Sequence, residues 1–298
     1  IETFTPQKDD FEASDLSSIR AAAERGIPAA QYKLGEIYRL ADGVDLDFEL
    51  AAHWFQLAAD QGNPDAQFKL GLLYEQGMGV DLKNGMVDFA QAADLYLKSA
   101  QQGNPQAQFN LGMLQLNGCK GVERNHEQVE YWFLKAAEQG NLDAFFGLYT
   151  LYDMALNDTR RGQSWLTKGA ERGHLLCQSV LARTHLHGIS VPKNREQGLY
   201  WLHKAAEQGD PIVQWELASI YADETDGQDV EKAFHWYRLS AEQGCDSAQY
   251  ALARAYHLGT LGLEQSIDEA VFWYKKAALQ GNEESESSLR RLKVWDWE

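Results

Sequence analysis

Cysteine is scarce. Cys119, Cys177 and Cys245 are the three in 298 residues. They form no Cys-x-x-Cys pair and share no Cys/His ligand spacing, which excludes a thiolate metal centre; at most one disulfide is open to them, with one thiol left over. Positive charge is also short. Lys and Arg number 27 against 44 Asp and Glu, for a net charge of −17. Phosphate recognition needs clustered Lys and Arg, so nucleic acid and an anionic membrane surface are not the expected partners. No apolar run approaches the ~20 residues that span a bilayer, so no membrane insertion is expected. Catalytic motifs are missing as well: there is no G-x-S-x-G, no H-E-x-x-H and no P-loop. The Gly77-Met78-Gly79 sequence lacks the preceding strand and the lysine or third glycine of a nucleotide site, and reads as a turn. Asn157-Asp158-Thr159, a glycosylation sequon in form, reads as a turn too. The histidines are scattered. His185 and His187 lie two apart, on different faces of any helix, and make a poor metal pair. No enzyme, cofactor or metal site is expected.

What is present is a repeat. A tail spelled close to A-A-E-Q-G ends a segment eight times, closing at Gly26, Gly62, Gly103, Gly140, Gly173, Gly209, Gly244 and Gly281. Spacing of 33 to 41 residues between these glycines marks a stacked-repeat architecture. Nearest-neighbour stacking extends one core without a domain break, and the 44% apolar content is sufficient to fill it.

The chemistry around each closing glycine defines two helices. One residue later come Asn63, Asn104, Asn141, Asp210 and Asn282, residues that cap helix starts. Two residues later come Pro28, Pro64, Pro105 and Pro211, four of the six prolines, which suit a first helical turn. A glycine suits the left-handed end of the helix before it. The helix that follows, helix A, has small residues four past the glycine (Ala30, Ala66, Ala107, Ala144, Cys177, Val213, Ala248) and Leu eight past it in every copy. Tyr prevails twelve past it, so one stripe faces inward. Gly or Ala nine past it, as at Gly35, Gly71 and Gly112, predicts close helix–helix approach. The second helix, B, places Trp54, Trp132, Trp165, Trp201, Trp236 and Trp273 eight before the glycine, a register that reads as core.

The pattern A-Q-Y-x-L-G-x-x-Y, then a Gly-rich loop, then A-x-x-W-Y-x-K-A-A-E-Q-G resembles the Sel-1-like repeat (SLR) family. Residues 63–81 match its first half and 200–209 its second. The resemblance covers about residues 18 to 292. It implies an all-α fold, a right-handed α/α superhelical solenoid of seven helix-turn-helix repeats with unpaired helices at both ends, in the tetratricopeptide-like superfamily. The expected organisation is a single domain over 1–298, with repeats 27–62, 63–103, 104–140, 141–173, 174–209, 210–244 and 245–281. End helices are expected over 11–26 and 283–297, with Arg290 and Arg291 giving the last a polar cap. Family habit implies a scaffold or adaptor that binds a protein or peptide in its concave groove, as a monomer. With Ile1 in place of a starting Met, it also points to export to the periplasm or exterior of a bacterium, and leaves cytoplasmic residence open. A cysteine-rich branch of the family is linked to penicillin binding, so a cell-wall or β-lactam-binding enzyme is one alternative, although three cysteines cannot staple seven repeats. An exported surface antigen without a groove ligand is another.

If the invariant positions make the scaffold, function belongs to those that vary. Positions three, seven, ten and fourteen past the glycine share a second stripe on helix A. The seventh and tenth supply the candidate groove residues Lys33, Glu36, Lys69, Leu72, Asn110, Met113, Thr150, Arg183, Glu216, Ser219 and Arg254, with Gly147, Val180 and Ala251 in the same registers. The family's geometry would make this stripe the groove floor. The fourth repeat is the shortest and gathers Phe145, Phe146, Tyr149 and Tyr152 within two turns. These form either an exposed aromatic patch or, as the favoured reading, filling for a shortened loop. The second repeat carries an insertion around Lys83–Asp88, which reads as an extended loop.

Overall fold

A computed structural model describes residues 15–80, 87–223 and 228–294. Among these there is no strand; the chain forms helices joined by short turns. It divides into two compact units, Ile1–Trp165 and Leu166–Glu298, with the boundary inside one helix. The first unit contains α1 (Leu16–Glu24), α2 (Pro28–Leu40), α3 (Phe48–Asp60), α4 (Pro64–Gln76), α5 (Phe89–Gln101), α6 (Pro105–Asn117), α7 (His126–Glu138) and α8 (Asp143–Thr150). A π-helical turn, Leu151–Ala155, continues α8, and α9 (Thr159–Glu171) crosses the boundary. The second contains α10 (Leu175–His187), α11 (Arg195–Ala206), α12 (Pro211–Ala222), α13 (Val230–Glu242), α14 (Asp246–Leu258), α15 (Ile267–Ala278) and α16 (Glu283–Arg291). From α1 to α8 and from α10 to α16, each helix packs on the next. This is the stacking of an α/α solenoid. Even-numbered helices are the A helices and odd-numbered ones the B helices.

The junction chemistry operates as its residues dictate. All eight closing glycines have φ between 85° and 98°, the left-handed region that ends a helix without a Cβ penalty. The side chains of Asn63, Asn104, Asp210 and Asn282 accept backbone N–H bonds from the first turns of α4, α6, α12 and α16. In the fifth repeat the His174 imidazole takes that role, receiving the Cys177 N–H. The front helix expected over 11–26 is α1, with 11–14 outside the described residues. The rear helix is shorter than the expected 283–297: α16 ends at Arg291, and Lys293 stands at φ 57°, which helical backbone does not tolerate. Residues 295–297, and 81–86 within the second-repeat insertion, lie outside the described residues.

The inward stripe of helix A is buried in every copy. The leucines eight past the glycine, from Leu34 to Leu289, are at most 3% exposed. On helix B the deepest position is not the tryptophan. Trp132 and Trp273 are buried, but Trp54, Trp165, Trp201 and Trp236 are half-buried. One residue later sit Phe55, Tyr96, Phe133, Leu166 and Leu202, all at 0% exposure, with Tyr237 and Tyr274 also buried. These rings explain the helix-A glycines. A Cβ added at Gly35, Gly71 or Gly112 would lie 2.6, 2.7 or 2.6 Å from the ring of Phe55, Tyr96 or Phe133 respectively. The aromatic edge therefore occupies the space that a side chain would take.

The glutamine of the tail has a structural role of its own. Gln31, Gln67, Gln108, Gln178, Gln214 and Gln249, five past a closing glycine, are buried. Each donates through Nε2 to a carbonyl at the end of the preceding helix B: Ala23, Ala59, Ala100, Ala170, Ala206 and Ala241, at 3.0 to 3.2 Å. Each accepts through Oε1 from the tail glutamine of its own repeat, Gln61, Gln102, Gln139, Gln208, Gln243 or Gln280, at 2.7 to 2.8 Å. One amide thus braces three helices and gives a second donor to a helix-end carbonyl that already accepts the closing glycine's N–H. The fourth repeat carries Phe145 and Arg172 in these two registers and lacks the brace.

Candidate functional site

The variable stripe lies on the A helices, held at fixed spacing by the braces and ring contacts beneath it. In the first unit Lys33 is exposed on α2, and Glu36 one turn on is half-buried. Glu36 accepts two bonds from Arg39, at 2.8 and 2.9 Å, and faces Lys69 Nζ of α4 at 3.5 Å. Burial opposes its ionisation, but the Arg39 hydrogen bonds and the nearby Lys69 charge outweigh this and hold its carboxyl below the usual range. Asn110 donates to the Tyr96 hydroxyl at 3.3 Å, and that hydroxyl donates to Glu75. Leu72 and Met113 are half-buried against their neighbouring cores, and Thr150 donates to the Gly147 carbonyl at 2.8 Å. In the second unit Arg183 of α10 and Glu216 of α12 form two parallel bonds, Nε to Oε1 at 2.8 Å and Nη2 to Oε2 at 2.6 Å. With side chains 47% and 19% exposed, the pair contributes about 1 kcal/mol or less. Ser219 accepts from the Tyr237 hydroxyl at 3.2 Å. Arg254 of α14 makes no hydrogen bond or ion pair with the described residues.

A register emerges from these pairs. Glu36 with Lys69, and Arg183 with Glu216, each join the tenth position of one repeat to the seventh position of the next. Much of the stripe's charge is therefore internally matched.

Between α12, α14 and the start of α16 lies an open cleft of about 490 Å³. Ser219, Ala251 and Arg254 of the stripe line it, together with Trp215, Tyr250 and Leu258. The two rings were not among the sequence candidates. Their signal was available: six past the glycine, six of seven repeats carry an aromatic, namely Tyr32, Phe68, Phe109, Phe146, Trp215 and Tyr250. Four of these lean on the deep helix-B rings, with centroids 5.5 to 5.9 Å apart for Tyr32–Phe55, Phe68–Tyr96, Phe109–Phe133 and Tyr250–Tyr274.

The fourth-repeat aromatics do not present a surface. Phe145, Tyr149 and Tyr152 are 3%, 7% and 4% exposed, and Phe146 is half-buried. Tyr149 stands where the other repeats have Gly or Ala, and Tyr152 donates to Glu130 and packs under Arg161, so the rings serve the interior. Cys119, Cys177 and Cys245 are free thiols, with Cys177 buried. No group of three or more His, Cys, Asp or Glu among the described residues is placed to hold a metal ion. No helix among them is long and apolar enough to cross a membrane.

One titrating contact bears on the stability of the second unit. His203 of α11 is hydrogen-bonded to the Tyr221 hydroxyl of α12 and lies edge-on to Trp236. Burial holds it below the usual imidazole value; Glu207 opposes this and Lys232 assists. As pH falls the unfolded chain takes up the proton first, so this contribution is full above about pH 6.5 and is lost below it. His203→Gln is expected to flatten the decline in Tm between about pH 6.5 and 5. An unchanged decline would show that another group controls it.

A face of variable residues carried by paired, stacked helices defines a helix-turn-helix repeat protein. The chain belongs to the Sel1 repeat family: that family's repeat matches residues 28–63, 64–104, 105–141, 147–174, 176–210, 211–245 and 246–282. It is similar to a protective antigen of uropathogenic Escherichia coli with an SLR fold, at 34% identity and a TM-score of 0.65, over 93% of this chain and 59% of that one. It therefore spans under two thirds of that relative's length. It is also similar to a Sel1 repeat protein from Oxalobacter formigenes, at 31% identity and a TM-score of 0.75, over 93% of this chain and 80% of that one. Yeast Tom70, at 13% identity and a TM-score of 0.54, over 93% of this chain and 59% of that one, shares the fold alone. No curated protein matches.

Proposed function

We propose that the protein is a non-enzymatic scaffold that binds a protein or peptide along the variable stripe of its A helices. The observation that carries this is the division of labour among positions. The small residues, leucines, deep rings and glutamine braces recur and are buried, whereas the seventh and tenth positions of helix A differ from copy to copy and mix apolar, polar and charged groups. The cleft beside Arg254 adds a concavity in which a side chain can seat. For the setting, we propose a bacterial envelope or host-facing location; the likeness to an E. coli protective antigen supports it.

The test is selection of peptides from a random displayed library on the purified protein, followed by affinity measurement against two variants. Ala251→Trp plugs the A-helix cleft, and Tyr200→Ala alters the exposed surface of helix B. The expected result is enriched peptides that lose at least about tenfold in affinity for Ala251→Trp, roughly 1.4 kcal/mol, and bind Tyr200→Ala as they bind the parent. Peptides that respond only to Tyr200→Ala, or failure to enrich any, would overturn the reading.

A further inference from the structure

Arg183 and Arg254 occupy the same register, ten past a closing glycine, on α10 and α14. The first is answered by a carboxylate seven past the next glycine, Glu216, through two parallel bonds. At the corresponding place after Arg254 stands Ser288, whose hydroxyl is turned to its own helix and donates to the Glu284 carbonyl at 2.8 Å. Glu284 itself lines the same cleft without pairing to Arg254. With no hydrogen bond or ion pair among the described residues, the guanidinium keeps N–H donors for an outside acceptor, at the register in which Arg183 holds a carboxylate. Next to it the cleft offers the Trp215 and Tyr250 rings with Ala251 and Leu258 as an apolar wall, and polar groups such as Ser247 and Asn282 line the rest.

We infer that this cleft receives a Glu or Asp side chain of a partner peptide on Arg254, with an adjacent apolar residue of that peptide against Trp215 and Tyr250. The inference rests on reading the A-helix stripe as a protein-binding face. Glu216 supplies the template: it shows a side-chain carboxylate, not a chain terminus, seated on an arginine of this register. The protein's net charge of −17 does not forbid it. Remote charges are screened beyond about 8 Å at physiological salt, while a direct guanidinium–carboxylate contact is screened far less.

The experiment uses fluorescence anisotropy and three labelled peptides that share one phenylalanine and differ at the next residue and the end. One has Glu and an amidated terminus, one Gln and an amidated terminus, and one Gln and a free terminal carboxylate. The Glu peptide is expected to bind at least about tenfold more tightly than the amidated Gln peptide. Arg254→Ala should erase that difference, Arg254→Lys should restore part of it, and Arg238→Ala, an exposed change on α13, should preserve it. Far-UV circular dichroism confirms the fold of each variant. The inference is overturned by equal binding of the two amidated peptides, by a preference that survives Arg254→Ala, by a preference confined to the free carboxylate, or by no binding of any peptide up to about 1 mM. Ala251→Trp separates this failure from that of the broader reading. If it abolishes binding that shows no Glu preference, the binding face stands and the carboxylate assignment falls. If it leaves binding intact, both fall.

Discussion

Phe133→Ala is expected to destabilise the protein by about 4 kcal/mol, well within the range for a buried aromatic. The ring is fully buried on α7 and is gripped from both sides. A Cβ at Gly112 would approach it to 2.6 Å, and one at Gly147 to 2.9 Å. Two glycines cannot extend side chains into the space the ring leaves, so the cavity collapses poorly and its cost stays high. The same clamp makes a second, opposite change informative. Gly112→Ala gains up to about 1 kcal/mol of helix propensity, yet drives a methyl into the ring, at about 1–3 kcal/mol. In the sixth and seventh repeats Ala218 and Ala253 coexist with Tyr237 and Tyr274, where the ring has no glycine on its far side. Phe133 has Gly147 there and cannot swing away. Gly112→Ala should therefore cost more than Gly35→Ala, and adding Phe133→Leu should rescue part of the loss, since the fifth repeat combines Ala182 with Leu202. Urea unfolding followed by circular dichroism checks this: additive effects of Gly112→Ala and Phe133→Leu would show that the two sites are not coupled.

Gln108→Leu is the second large effect, at about 2 kcal/mol. The substitution conserves approximate size and adds apolar surface, so a loss would come from polar groups left behind. Two each lose a bond: the Ala100 carbonyl, whose residue is 2% exposed and which keeps only the N–H bonds of the helix end, and the tail amide of Gln139, which keeps the Lys135 carbonyl at 3.4 Å. Gln139→Ala should cost less, because its own amide lies at the surface and the Gln108 bond to Ala100 survives. If both changes cost equally, the buried carbonyl is not the source. The fourth repeat is a natural control: it replaces both glutamines, with Phe145 and Arg172, and buries Phe145 in place of the amide.

The junctions were legible because their chemistry is local. A helix stop, a cap and a first-turn proline lie within three residues of one another, so Gly103-Asn104-Pro105 announces its own geometry. The leucine and small-residue registers were legible for the same reason, since helical spacing alone puts them on one stripe. The deep ring was not. Tryptophan is the larger residue and repeats more faithfully, yet Phe55, Tyr96 and Phe133 sit deeper than Trp54, Leu95 and Trp132. Which of two adjacent helix-B positions points inward depends on the rotation of that helix against its neighbour, and spacing within one helix does not fix it. For the fourth-repeat aromatics, where filling was the favoured reading and an exposed patch the alternative, the depth likewise depends on a neighbour: Tyr152 is buried against Val129 and Phe133 of α7.

The candidate stripe's residues lie on the A helices, and three of them line the cleft. What spacing did not show was that Glu36 is paired with Arg39 and Lys69 and Arg183 with Glu216, whereas Arg254 has no ion-pair partner among the described residues. Equal registers carried equal weight in one dimension; partners 33 residues away made them unequal.

The sequence alone determined the repeat, its helices, their ends and the family, because each follows from chemistry within one or two turns. Only the tertiary structure decided which ring fills the core, why the tail ends in glutamine and which arginine remains available, because each of those depends on what a neighbouring repeat places opposite.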